Sequence, residues 1–173
     1  MGDRTSEAAR SGPPEFREFV RDRGSPLHQV AYLLCGDWHL AHDLVQETLV
    51  KAYRHWPRVQ QADNPDAYVR RILINEARHR WRRRDGAVPV ARFTAEPAIP
   101  DVTDDFARRE RLLQALLELP LQQRATVVLR YLEGRTQSET ADLLGCSEGT
   151  VKSQSSRALA TLRKYLNRTE TRL

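Results

Sequence analysis

The chain has 173 residues, 40% hydrophobic and 29% charged, the balance of a soluble globular protein with room for one medium or two small domains. Its net charge of +5 and pI near 9.6 favour polyanionic partners, nucleic acid before an anionic membrane. Cys35 and Cys146 lie far apart without CxxC spacing, which argues against a disulfide framework or a cysteine zinc site and suits a reducing compartment. There is no signal-peptide core and no run near the roughly 18 apolar residues of a membrane span, so a cytoplasmic protein without membrane insertion is expected. Leu, Ala, Arg and Glu dominate, which predicts an all-α fold.

Residues 1–13 are polar and end at Pro13-Pro14, the composition of a disordered tail. Apolar periodicity at Phe16, Phe19 and Val20, then at Leu27, Val30, Ala31, Leu33 and Leu34, predicts two helices broken near Gly24-Ser25-Pro26. Gly36 ends the second, and Asp37 caps a third. In AHDLVQETLVKAYRHW, residues 41–56, a helical projection gathers Ala41, Val45, Leu49, Ala52 and Trp56 on one side. Asp43, Gln46, Glu47, Val50 and Arg54 line the other, and an apolar Val50 inside that polar stripe suggests a protein-docking face, with a merely solvated face carrying a single exposed valine as the alternative. His39, His42, Asp43 and Glu47 do not read as metal ligands, because His42 projects away from Asp43 and Glu47 and no second helix offers a matching Glu-x-x-His set. No metal and no cofactor are expected.

Next come Val59, Gln60, Gln61, Ala62, Asp63 and Asn64, read as a loop, and Asn64-Pro65 opens a helix running to about Arg84. Val69, Ile72, Leu73 and Ala77 make its core side, while Arg71, Asn75, Arg78 and Arg82 make a basic and amide stripe. Arg80, Arg83, Arg84 and Trp81 thicken its end; the five arginines between 78 and 84 call for a polyanion, and Trp81 offers a stacking surface. Residues 86–105 are proline-bearing and acidic without periodicity, a flexible linker. Two small helical domains follow, 14–85 and 106–173.

In the second, Leu112, Leu113, Leu116 and Leu117, then Val127, Val128, Leu129 and Leu132, mark two helices separated at Pro120. TQSETADLLGCSEGTVKSQSSRAL then has the spacing of a helix-turn-helix: Ala141 where two helices touch, Gly145 in the left-handed turn, Val151 beyond it. Thr136 and Ser147 are placed to cap the two helices, and Glu139 completes a capping box with Thr136. On the second helix Val151, Ala158, Leu159, Leu162, Tyr165 and Leu166 share one face, and Lys152, Ser153, Ser156 and Arg157 the other. Such a polar face fits a major groove, with Lys152 and Arg157 in reach of phosphates or guanine edges. Ser155 breaks the inner apolar face.

The succession DLVQETLVKAYRHW, NPDAYVRRILINEARHRWRRR and LPLQQRATVVLRYLEGRTQSETADLLGCSEGTVKSQSSRALATLRKYL resembles a bacterial extracytoplasmic-function (group 4) sigma factor over residues 14–168, of the actinobacterial SigE-like kind with a VKSQ-type recognition helix that includes Gln154. The resemblance implies a sigma-2 and a sigma-4 domain that bind core RNA polymerase and direct it to promoters. It implies that Asp43, Gln46, Glu47, Val50 and Arg54 dock on the beta-prime clamp coiled coil. Asn75, residues 59–64, Arg71, Arg78 and Arg82 would grip the melted minus-ten element. Thr136, Ser147, Lys152, Ser153, Ser156 and Arg157 would serve the minus-thirty-five element. It further places Val127, Leu129 and Leu132 in the sigma-4 core beneath a beta-flap contact, threads the linker through the RNA exit path, and leaves room for an anti-sigma factor. The rival of the same class is a helix-turn-helix regulator working without polymerase, which leaves residues 41–84 unexplained. An enzyme is the rival from another class, and the chain has no phosphate-binding Gly loop, nucleophile elbow or paired carboxylates.

Overall fold

A computed structural model describes residues 12–83 and 104–170, all the regular elements of which are helical. Most of the predicted tail and linker, and Arg84, lie outside the described residues; Asp104 and Asp105, read as the linker's end, instead start a helix. The chain divides into two compact units, Met1–Tyr32 with His39–Val88, and Leu33–Trp38 with Pro89–Leu173.

Helix α1, Pro14–Cys35, of which the first unit includes the part up to Tyr32, is a single helix of 22 residues that passes through Gly24 and Pro26. The expected break is absent because the apolar stripe stays in phase across it: at about 100° per residue Phe16, Val20, Leu27, Val30 and Ala31 share one side. Phe16, Leu27, Val30 and Ala31 are buried. At roughly 1.5–3 kcal/mol for each large side chain, that burial outweighs the roughly 3 kcal/mol that an interior proline costs. Gly36, at φ 70°, ends α1 as expected.

Helix α2, Trp38–Arg54, buries Ala41, Leu44, Val45, Leu49 and Ala52. It stops before Trp56, because Pro57 cannot donate into a continuing helix; His55, at φ −113°, precedes a new short helix α3, Trp56–Gln61. The Trp56 ring nevertheless reaches the core, edge-on to Phe16 at 5.1 Å and Phe19 at 5.6 Å. Helix α4, Pro65–Arg83, starts where Asn64 Oδ1 accepts the Ala67 N–H at 3.0 Å and buries Val69, Leu73, Ile74 and Ala77. Arg70 is also buried on this side, paired with Asp66 at 2.6 Å.

The second unit contains α5, Asp104–Leu117, then α6, Leu121–Val127, running into a π-helical turn, Val128–Leu132. Helices α7, Gln137–Leu144, and α8, Glu148–Glu170, complete it. Arg124 on α6 is 1% exposed; its Nε donates to the Leu116 carbonyl at 2.9 Å, and its Nη2 to those of Leu117 at 3.1 Å and Leu119 at 2.9 Å. It thereby adds a second donor to the Leu116 carbonyl, which already accepts the Leu119 N–H at 3.1 Å, and meets those of Leu117 and Leu119 beyond it. Burial pushes its pKa down to about 10, which still leaves it charged at neutral pH.

The wide turn after α6 rotates Tyr131 and Leu132 outward, to 50% and 44% exposure, whereas Val127, Val128 and Leu129 are buried. Leu132 therefore does not join the core with Val127 and Leu129, contrary to expectation. Leu112 and Leu166 are exposed as well. Helix α8 packs on α6 and α7 and buries Val151, Ser155, Ala158 and Leu162.

The buried Ser155 Oγ has no hydrogen-bond partner. An unpaired buried hydroxyl costs roughly 1–3 kcal/mol, so Ser155→Ala is expected to raise the stability of this unit by about 1 kcal/mol. Urea denaturation of the two chains side by side measures it; a lower midpoint for the alanine variant would show that the hydroxyl is paired in solution.

Candidate nucleic-acid interface

Between α7 and α8 the chain turns at Gly145, φ 63°, with the Gly145 N–H donated to Asp142 and the Cys146 N–H to the Ala141 carbonyl at 3.0 Å. An added Cβ at Gly145 would meet nothing within 4 Å, so the left-handed backbone alone calls for glycine here. Ala141 and Val151 are both buried, as the helix-turn-helix spacing requires.

Both helix starts are capped. Thr136 Oγ1 accepts the Glu139 N–H at 3.1 Å while Glu139 Oε2 accepts the Thr136 N–H at 2.7 Å, a closed capping box. Ser147 Oγ accepts the Thr150 N–H at 3.1 Å. Gln137 spans the motif, its Nε2 donating to the Glu148 carbonyl at 3.2 Å. Thr136 and Ser147 thus hold the helices with the hydroxyls that the sequence reading offered to DNA.

With Val151, Ser155 and Ala158 inside, Lys152, Ser153, Ser156 and Arg157 are all exposed, and Gln154 is half-buried at the edge. Ser153 Oγ donates back to the Thr150 carbonyl at 3.0 Å. The structure therefore brings the four together on the outer face of α8.

In the first unit, Asp43, Glu47, Val50 and Arg54 are exposed along α2 with Gln46 half-buried beside them. Tyr53, 41% exposed and edge-on to Phe16 at 5.2 Å, adjoins the 40% exposed Val50; it was missed because the helix projection ranked it with neither stripe. Glu47 is already engaged: Arg80 on α4 binds both its carboxylate oxygens, Nη2 at 2.8 Å and Nε at 3.3 Å. Lys51 pairs with Glu76 at 2.5 Å, so two oppositely ordered ion pairs join antiparallel helices.

On α4, Arg71, Asn75 and Arg82 are exposed and Arg78 half-buried, in one stripe. Arg80 lies opposite that stripe, on Glu47, and does not thicken it. Trp81 is half-buried with its Nε1 buried and unpartnered, which leaves less stacking surface than its position suggested. The expected loop at 59–64 is also corrected. Val59, Gln60 and Gln61 belong to α3, and Val59 is 0% exposed, so it is closed to nucleic acid. Gln60, Gln61, Asp63 and Asn64 are exposed and Ala62 half-buried at the entrance to α4. Among the described residues no group of three or more His, Cys, Asp or Glu side chains could hold a metal ion, and no helix is long and apolar enough to cross a membrane.

The capping box makes its own prediction. The backbone N–H of Thr136, and then its side chain, hold the Glu139 carboxyl below its ordinary pKa. That contribution to stability is complete above the usual carboxylate range and is lost as pH falls through the lowered value. Thermal melts from neutral to acid pH should show a loss that Glu139→Gln reduces, and Thr136→Ala should cost about 1 kcal/mol at neutral pH. An acid limb unchanged by Glu139→Gln would refute the linkage.

Two family models match the chain: Sigma-70 region 2 over residues 19–86, and Sigma-70, region 4 over residues 109–162. The RNA polymerase sigma-E factor of Streptomyces coelicolor is 40% identical over 88% of this chain and 86% of its own length. The ECF RNA polymerase sigma factor SigM of Mycobacterium tuberculosis is 32% identical over 88% of the chain and 79% of its own. Among solved structures, the sigma factor RpoE in complex with the anti-sigma factor NepR from Bartonella quintana superposes with a TM-score of 0.67 at 27% identity, covering 90% of this chain and 98% of that one. CnrH in complex with the cytosolic domain of CnrY gives 0.64 at 25% identity, covering 94% of each chain.

Proposed function

This chain belongs to the extracytoplasmic-function group of the sigma-70 family and directs promoter-specific transcription initiation, and on that premise we propose how its surfaces divide the work. The observation that carries the assignment is the outer face of α8, where Lys152, Ser153, Ser156 and Arg157 stand exposed above a buried Val151 and Ala158. Small hydroxyls beside two cations let a helix approach base edges closely, so this face reads the minus-thirty-five element. Thr136 and Ser147 serve it indirectly, by fixing the starts of α7 and α8.

In the region 19–86, Arg71, Asn75, Arg78 and Arg82 track the unpaired strand of the minus-ten element, with Gln60, Gln61, Ala62, Asp63 and Asn64 supplying hydrogen-bonding edges for a displaced base. Asp43, Gln46, Val50, Tyr53 and Arg54 form the face for the beta-prime clamp coiled coil. Glu47 takes part while tied to Arg80. The sigma-2 part spans 14–85 and the sigma-4 part 106–173, joined by a flexible linker at 86–105 in the RNA exit path. Val127 and Leu129 support the surface that meets the beta flap. The family is not a catalytic enzyme class, and the chain acts in the cytoplasm by binding. That two solved relatives were captured with their partners, one an anti-sigma factor by name, supports an anti-sigma partner here too. A regulator binding duplex DNA alone would account for α7 and α8 but not for the faces of α2 and α4.

If Arg157 reads a guanine, Arg157→Ala costs about 1–3 kcal/mol in promoter binding by the polymerase complex and relaxes preference at one position. A loss uniform over all promoter sequences would reduce Arg157 to a phosphate contact.

Unstacking a base costs a few kcal/mol, so weakening the strand grip should spare the closed complex. Asn75→Ala with Arg78→Ala is expected to lower open-complex formation on linear promoters more than on pre-melted ones. Permanganate footprinting on both templates separates the cases; equal defects would assign α4 to duplex attraction instead of opening.

A further inference from the structure

His28 on α1 and His42 on α2 face each other in the first unit, Nε2 of the former 3.1 Å from Nδ1 of the latter, with ring centroids 5.2 Å apart. Neither is used by the promoter or polymerase surfaces. Their outer nitrogens are also held. His28 Nδ1 lies 3.1 Å from the Gly24 carbonyl, which can only accept, so that nitrogen carries the proton and leaves His28 Nε2 with a lone pair aimed at His42. His42 Nε2 lies 3.3 Å from the Gln46 side-chain nitrogen, while Gln46 Oε1 is buried without a partner. As it stands, the Gln46 amide N–H donates to His42 Nε2 and His42 Nδ1–H donates to His28 Nε2; turning the carboxamide over lets its oxygen accept a His42 Nε2–H instead, the proton having moved across the ring from Nδ1. His42 Nδ1 then also presents a lone pair.

A metal ion that replaces the proton between the rings selects this second tautomer and meets two imidazole lone pairs, with each ring's other N–H held by a carbonyl oxygen, the outer-shell support typical of metal-ligating histidines. With metal–nitrogen bonds of about 2.0–2.1 Å, two ligands at angles between 90° and tetrahedral stand roughly 2.9–3.4 Å apart. The observed 3.1 Å falls in that interval. We infer that His28 and His42 form a two-histidine chelate for a divalent transition-metal ion of the imidazole-preferring kind, its remaining positions filled by water because the pair faces solvent. A bound ion bridges α1, beyond Pro26, to α2 and sets the Gln46 carboxamide at the edge of the proposed docking face. The metal site itself stands independently of that docking role.

The test titrates zinc chloride into the untagged full chain by calorimetry. The comparison set is the wild type, His28→Gln, His42→Gln, Gln46→Leu, and a control combining His39→Ala, His55→Ala, His79→Ala and Cys146→Ser, all checked for unchanged helicity by circular dichroism. The wild type and the control should each bind one zinc ion. Either glutamine variant should lose at least tenfold in affinity, Gln46→Leu about tenfold, and zinc should raise the wild-type melting temperature without raising that of the glutamine variants. Equal binding by the wild type and both glutamine variants, or loss of the site in the control, overturns the inference.

Discussion

A guanidinium with almost no water around it organises the second unit. Arg124 donates to the carbonyls of Leu116, Leu117 and Leu119; the Leu116 oxygen also accepts the Leu119 N–H, so the Leu117 and Leu119 oxygens, at the end of α5 and the turn before Pro120, are the ones that depend on the guanidinium. A lone buried charge is costly, but one whose donors are met by several oxygens is held firmly, and removing it would strand those oxygens together. The turn fixed in this way sets α6, and α6 with α7 provides the surface on which α8 lies. The exposed face of α8 thus depends on a contact made far below it.

The same logic of exclusion shapes both candidate faces. Val151, Ala158 and Leu162 must be buried, so the side chains opposite them are forced into solvent. On α4 the burial of Val69, Leu73 and Ala77 does the same for Arg71, Asn75 and Arg82. Other cations are engaged within the protein: Arg70 pairs with Asp66, Arg80 with Glu47, and Arg124, still charged, is held by backbone carbonyls. What a polyanion meets is the set of cations that this burial pattern turns outward. Net charge attracts nucleic acid, while the internal pairs decide which cations meet it.

Much of this was legible in the sequence where the signal is local. The Ala141, Gly145 and Val151 spacing, the Thr136 and Glu139 box, and the Asn64-Pro65 helix start each rest on bonds spanning a few residues, and each appears as expected. Pro26 misled because proline is a strong local signal, yet the apolar stripe of α1 keeps its phase across it and the packing prevails. Val59 was placed in a loop because a short helix after His55 has too few residues to show periodicity. Leu132 left the core through a π-helical turn, which changes the angular step without a sequence mark. The Glu47–Arg80 pair and the His28–His42 approach join different helices, so no single-helix projection could find them. His42 was set aside as a ligand because it projects away from Asp43 and Glu47 and no matching Glu-x-x-His set is in view; its neighbour on α1, His28, lies fourteen residues earlier in sequence and could not be read from α2 alone.

On the proposed division of work, the two units act together on polymerase and on one promoter. The most direct measurement is run-off transcription from a genomic fragment library by reconstituted core polymerase, with and without the chain, sequencing the start sites. Start sites that require the chain and share two short elements at a fixed spacing are the predicted result. Failure to associate with core polymerase, with no chain-dependent start sites and with protection of duplex DNA by the chain alone, would contradict it and leave a helix-turn-helix regulator in its place.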